Sequence, residues 1–282
     1  MPDYVSLFLD SPAASLGVDA FISLLFLSLA RLLPIILQSP FFGARVMPNP
    51  VKVVFAISLY IIFLPKMLQV ISGPIPFNSY VILLAIKEFF VGLSMGFIMS
   101  APFIIVQNVG MIIDHQRGGA SLLINDPTIQ NQSSPLGTLF NMVLIYVFYL
   151  VDGPFYFMNA MIEAYELMPP DQVFSPLFFQ KDNPFWVIMF RAFNTVMVIS
   201  AQLGAPALIA ILMTDMFLGI ANRLAPQVQI TFLGLPLKSL LALTVICVGW
   251  KLYNQQTVVE IFKWLDILQQ AIGGLSPPTI SS

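Results

Sequence analysis

This chain predicts an all-α, polytopic membrane architecture of about six long hydrophobic helices, and three observations lead there. Apolar residues make up 58% of its 282 positions and charged residues only 9%, with a mean hydropathy of +0.87. A soluble domain is about a quarter charged, so the chain lacks the polar surface to cover itself in water. Apolar stretches of roughly one bilayer span each, about 20 residues, recur at Val18–Leu37, Val51–Ile71, Tyr80–Val106, Leu136–Val151, Phe185–Met213 and Leu237–Leu252. The alternation of barrel strands is not visible in them. Backbone groups away from water must be satisfied within their own segment, so helix is the expected state of each stretch.

The third and fifth stretches exceed one span, and each holds a breaker, Pro102 and Gly204-Ala205-Pro206. Each is a tilted, kinked helix or a pair of half-helices. The segment after Val151, DGPFYFMNAMIEAYELMPPDQ, is acidic and is expected to lie outside. Gln255–Ile272 places Val258, Ile261, Phe262, Leu265, Leu268 and Ile272 on one helical face, with Glu260, Lys263 and Asp266 turned away. Gly273-Gly274 ends this amphipathic tail and Pro277-Pro278 prevents its resumption; it lies on a membrane, on a partner or on its own chain. With no internal repeat, residues 1–282 read as one integrated domain with the tail at 255–282. The N-terminus carries Asp3 and Asp10 where a signal peptide needs basic residues, so it is expected to be retained. Basic residues hardly favour one side: Arg45, Lys52, Arg117, Arg223 and Lys238 against Lys66, Lys181, Lys251 and Lys263.

Whole classes of chemistry find little support. A net charge of −2 without a Lys/Arg cluster gives no reason to expect nucleic acid. One cysteine, Cys247, excludes a disulfide framework, and one histidine, His115, excludes a His-rich cage or an HExxH pair. There is no GxSxG elbow and no phosphate-binding glycine loop. The protein is expected to be neither an enzyme nor a cofactor carrier.

Ionisable residues inside the apolar runs are the functional candidates. Arg31, Lys87, Glu88, Arg191 and Asp215 lie within or at the ends of expected helices. Lys87-Glu88 either sits near an interface and snorkels to water or is buried; adjacent helix positions do not face each other. Arg31 and Arg191 have no partner nameable from sequence, and buried pairing between subunits is the expectation. Gly92 and Gly96 form a small-xxx-small face that packs on a helix of this chain or of another subunit. The polar stretch Asp114–Pro135 has Gly118-Gly119 as a hinge and Ser121-Leu122-Leu123-Ile124 as a short apolar centre. It is a constriction that folds into a pore, or a solvent-exposed connector. Asp215–Lys238 places Asp215, Asn222, Arg223, Gln227 and Lys238 among Gly219, Pro226, Gly234 and Pro236. Asp215 and Arg223 are about 12 Å apart along a continuous helix and meet only if it breaks. These features fit a secondary transporter with a midplane site, or a structural subunit of a larger channel. The two halves show no matching pair of interrupted helices.

Three blocks resemble one family, the T subunit of the type III secretion export apparatus, called FliR in flagella. The first, Leu29–Tyr60, resembles its early arginine (Arg31), its proline-aromatic-glycine turn (Pro40, Phe41, Phe42, Gly43) and its later Pro50 and Lys52. The second, Ile86–Gly118, resembles its Glu-x-x-x-Gly-x-x-x-Gly helix (Glu88, Gly92, Gly96), followed by Gly110, Gln116 and Gly118. The third runs from Gly204-Ala205-Pro206 through Asp215, Gly219, Asn222, Arg223, Ala225, Pro226, Gln227, Pro236 and Lys238.

The resemblance implies helical hairpins assembling into a multi-subunit export gate, in a virulence-type system of the bacterial inner membrane. One T subunit joins several R and S subunits, with the U and V subunits on the cytoplasmic side and the inner rod or needle on the other. Unfolded substrates pass through the centre, and much of each apolar helix meets a neighbouring subunit. Asp114, Gln116, Arg117, Gly118, Gly119, Leu122, Leu123, Ile124, Asp126 and Pro127 would belong to the gate plug. Arg31, Phe42, Gly43, Glu88, Gly92, Gly96, Asp215, Asn222, Arg223, Pro226, Gln227, Pro236 and Lys238 would serve assembly and packing, with Pro226 and Pro236 setting the turn of a hairpin. No metal, cofactor or catalytic residue is implied.

Overall fold

The computed structural model describes residue 6 and residues 18–43, 47–73, 75–118, 134–181, 183–224 and 230–275. Among them are seven α-helices and two short 3-10 turns, with no strand: α1 Val18–Gln38, α2 Asn49–Val70, α3 Ser79–Gln116, α4 Pro135–Leu150, α5 Gly153–Leu167, α6 Pro184–Leu224 and α7 Ile230–Leu275. Five, α1, α2, α3, α6 and α7, are long and apolar enough to cross a membrane, and the broken pair α4–α5 brings the number to six. The all-α polytopic expectation holds.

The breakers do not break. Pro102 lies inside the 38-residue α3, and Gly204-Ala205-Pro206 and Gly219 lie inside the 41-residue α6. A proline removes one helical hydrogen bond, and the flanking turns carry the helix across that gap when packing holds them. Leu237–Leu252 and the amphipathic tail are likewise one helix, the 46-residue α7. Pro236 therefore sits in the second turn of α7 and sets no hairpin turn. In the tail, Thr257, Glu260, Ile261, Trp264, Leu268, Ala271 and Ile272 are buried while Phe262 is exposed. The enclosed face is thus rotated from the expected one and takes in Glu260.

The acidic segment after Val151 is helix α5. Gly153 and Pro154 open it, proline being favoured in a first turn because its missing N–H has no helical partner there. Asp152, at φ 57°, is the non-glycine left-handed residue that separates α4 from α5. Phe157, Ala160, Met161, Ala164 and Tyr165 form its buried face.

Two compact units share the chain. The first comprises residues 1–100, 152–192 and 263–282; the second, 101–151 and 193–262. In the first, α1 packs along α2, and α2 also meets α5. Phe21–Tyr60 and Phe63–Tyr165 rings interleave there at 5.9 Å. The expected turn after α1 is present: Pro40–Phe42 makes a 3-10 turn closed by Gly43 at φ 71°, whose N–H donates to Pro40 O at 3.0 Å. Phe41 and Phe42 stack edge-on against Phe157 at 5.7 and 5.3 Å. A second aromatic cluster joins Phe90 to Phe174, Phe178, Phe185 and Trp186.

In the second unit, α3 and α4 touch backbone to backbone. A Cβ on Gly110 would occupy the position of the Leu136–Gly137 backbone. Buried Asn141 donates to Gln107 Oε1 at 3.2 Å across the same crossing. Phe140, Trp250 and Tyr253 pack α4 on α7.

Candidate functional site

Two polar centres stand out, one in each unit. In the first, Arg31 of α1 and Glu88 of α3 are both fully buried and form a two-point ion pair. Guanidinium Nη2 donates to Glu88 Oε1 at 2.9 Å, and Nε donates to Oε2. The remaining N–H groups turn to the C-terminal end of α5: Nη1 donates to Ala164 O at 3.2 Å and Nη2 to Met168 O at 2.7 Å. The Tyr165 ring covers the guanidinium, its centroid 4.2 Å from Cζ. Lys87, 4% exposed, pairs with Glu88 from the adjacent position and donates to Pro169 O at 2.7 Å.

The chemistry of this centre is structural. Two cations and one carboxylate leave a net positive charge, and it lies at the carbonyl end of α5, where the helix dipole and unpaired C=O groups favour cations. No partner for Arg31 is nameable from sequence, where pairing between subunits is the expectation; the partner is Glu88 of the same chain. Lys87 and Glu88 do not snorkel. Though adjacent, they share one centre, because the Lys87 ammonium reaches both Glu88 and the Pro169 carbonyl just beyond α5. Gly92 and Gly96 make that approach possible: a Cβ on Gly92 would overlap the Arg31 carbonyl, and one on Gly96 would press on Ile35 and Gln38. The glycine face therefore packs on α1 of this chain.

The second centre lies where α3 ends. Asp114, buried in the last turn of α3, accepts from Leu136 N at 3.1 Å, from Ser134 Oγ, and from Arg117 Nε at 2.8 Å. Ser134 is the N-cap of α4, its hydroxyl accepting from Gly137 N at 2.9 Å. Gln116 is exposed, and Gly118 takes φ 87° just past the helix, as glycine can. Gly119, Leu122, Leu123, Ile124, Asp126 and Pro127 lie outside the described residues.

In the third block, Asp215 of α6 pairs with Lys238 of α7. Asp215 and Arg223 stay apart on the continuous α6, and Asn222 and Arg223 are exposed in its last turn. Arg191 is exposed too. Pro226 and Gln227 lie outside the described residues. Sequence reasoning missed the carbonyls of Ala164, Met168 and Pro169, along with Tyr165, because the acidic segment after Val151 is not among the apolar stretches it marks as helices. Ser134, and Ser239, whose Oγ accepts from Arg117 Nη1 at 3.1 Å, carried no signal that sets them apart from other serines.

The chain matches the family described as bacterial export proteins, family 1, over residues 22–263. This chain belongs to that family. It is 31% identical to the secretion system apparatus protein SsaT of Salmonella typhimurium, over 86% of this chain and 90% of the relative. Identity is 28% to the Yop proteins translocation protein T of Yersinia pestis, over 68% and 73% of the two chains. It is 31% to the flagellar biosynthetic protein FliR of Bacillus subtilis, over 71% and 75%. The family resemblance read from the three sequence blocks is confirmed. With its apolar helices, membership makes the chain a polytopic inner-membrane component of a bacterial protein-secretion apparatus.

Proposed function

We propose that this export-family member is a structural, pore-forming subunit of a type III secretion export gate, completing a complex with R and S subunits through which unfolded proteins pass. Exposed apolar surface on α6 carries this reading. Large exposed hydrophobic side chains run along it from Val187 through Phe190, Phe217 and Ile220 to Leu224. That span is about 55 Å at 1.5 Å per residue, against a hydrocarbon core of about 30 Å. Lipid covers only part of such a face, and neighbouring protein has to cover the rest. The same length argument applies to α7, little of whose apolar stretch is buried.

The U and V subunits and the inner rod or needle are the further partners in this reading, and the role is structural, not enzymatic. A virulence-type system fits the similarity to SsaT of Salmonella typhimurium and to the Yop proteins translocation protein T of Yersinia pestis. A stand-alone transporter is the weaker reading, because Arg31, Lys87 and Glu88 are engaged with one another and with α5. Co-expression with R and S subunits, followed by native mass spectrometry in detergent, decides between them. One copy of this chain in an R–S complex is the expected result. A chain that stays alone or forms only its own oligomer refutes the gate role.

Residues 114–135 are the plug of that gate. Both ends of the stretch are pinned at Asp114, so the segment between them starts and returns at one point. Deleting residues 118–131 is expected to leave assembly intact and to let small ions leak; unchanged conductance in such cells removes the plug role.

Arg223, exposed at the end of α6, serves assembly by meeting a carboxylate or carbonyl of a neighbouring subunit. Arg223→Ala is expected to reduce the yield of assembled gate at least tenfold, with the free chain still folded. Normal assembly and secretion would discharge the residue from this role.

A further inference from the structure

We propose that Arg117 is a positioning residue, a latch that ties the α3–α4 junction to α7 with Asp114 as its anchor. The latch stands on described residues of the second unit alone; its effect on conductance rests on the plug role proposed above.

Asp114 Oδ1 accepts from Arg117 Nε at 2.8 Å and Nη2 at 2.7 Å, while Oδ2 accepts from Ser134 Oγ and Leu136 N. One carboxylate thus fixes the last turn of α3 and the first turn of α4. Arg117 is not used up by that pairing. Its Nη1 donates to Ser239 Oγ of α7 at 3.1 Å. The preceding residue, Lys238, pairs with Asp215 of α6. A continuous polar path therefore runs from α4 through Asp114 and Arg117 to α7, and one residue along it reaches α6.

The choice of arginine matters. Its planar fork offers one edge, Nε and Nη2, to a carboxylate and leaves Nη1 free for a second acceptor in a fixed direction. Lysine presents a point charge on a flexible stem and holds Asp114 without holding Ser239 in the same geometry. Contacts of this kind are also separable: breaking Arg117–Ser239 exposes a hydroxyl and a guanidinium edge, not an apolar core. Arg117 therefore adds a polar tie between the α3–α4 junction and α7 that can break without undoing the Phe140–Trp250–Tyr253 packing of α4 on α7.

The experiment uses the R–S co-assembled gate with Cys247→Ser, spin-labelled at cysteines replacing His115 and Leu240, both exposed positions. A narrow distance distribution between the labels is expected. It should broaden in Ser239→Ala and in Arg117→Lys, and return in Ser239→Thr, which restores the hydroxyl. Ser239→Ala removes a single oxygen, so it tests the latch even where a change at Asp114 blocks folding. Distributions unchanged in both Ser239→Ala and Arg117→Lys overturn the latch. Resting ion leak should rise about tenfold in each variant, the equilibrium factor of one charge-assisted hydrogen bond, and no further in the double variant. Additive leaks would overturn the coupling. Broadened distances without leak, together with a silent deletion of 118–131, keep the latch and remove the plug.

Discussion

Glu88→Ala is expected to abolish assembly of the chain into the gate. The substitution leaves Arg31 and Lys87 buried beside each other without their shared anion, at a site that water does not reach. Removing one partner of a buried ion pair costs about 3–5 kcal/mol, and here the loss also adds repulsion between two cations. Arg31→Ala should do less harm. It leaves Lys87 and Glu88 as a neutral pair, and its damage comes from the Met168 carbonyl left without Arg31, at about 1–3 kcal/mol, since Ala164 O keeps its bond from Met168 N. Lys87→Met should be the mildest of the three, since Arg31–Glu88 survives as a neutral two-point pair. Thermal midpoints of the detergent-extracted R–S complex, read beside the yield of assembled gate, test this order. A Glu88→Ala chain as stable as Lys87→Met would refute the account of the centre.

Gly110→Val is the second large effect. The position of its Cβ is already occupied by the Leu136–Gly137 backbone, which cannot rotate away as a side chain would. Relief requires parting α3 from α4, which also stretches the buried Gln107–Asn141 bond and displaces Leu136 N from Asp114. Overpacking typically costs about 1–3 kcal/mol, and this crossing should stand at or above the top of that range. Gly219→Ala is the matched control. Gly219 lies in the continuous α6 with nothing within 4 Å of its Cβ position, and alanine should stabilise the helix by up to about 1 kcal/mol. Protease resistance of the two variants in detergent separates them. Equal resistance would mean that the close approach of α3 and α4 does not govern the fold.

Much of this architecture was legible in the chain. Long apolar runs dictated α1, α2, α3, α6 and α7, because a backbone without water must close its hydrogen bonds within the segment. The proline-aromatic-glycine turn at Pro40–Gly43 was readable for a local reason: proline fixes φ and glycine permits the left-handed close. Helix α5 was not legible. Its apolar face, Phe157, Ala160, Met161, Ala164 and Tyr165, keeps helical spacing, but at 15 residues the helix falls short of the span of about 20 that marks a membrane-crossing run.

Sequence by itself determined that the chain is an α-helical membrane protein with charges and glycines placed where helices must meet, since composition and periodicity are local properties. Only the tertiary structure decided which residues those charges meet. Arg31 and Glu88 are 57 positions apart, and Arg31 and Met168 are 137 apart; no local pattern encodes such a pairing. The helices bring them together because a buried charge is tolerated only where a partner and carbonyls converge on it. The continuity of α3 and α6 through Pro102 and Pro206 was likewise visible only in the structure, where the flanking helical turns bridge the one hydrogen bond lost at each proline.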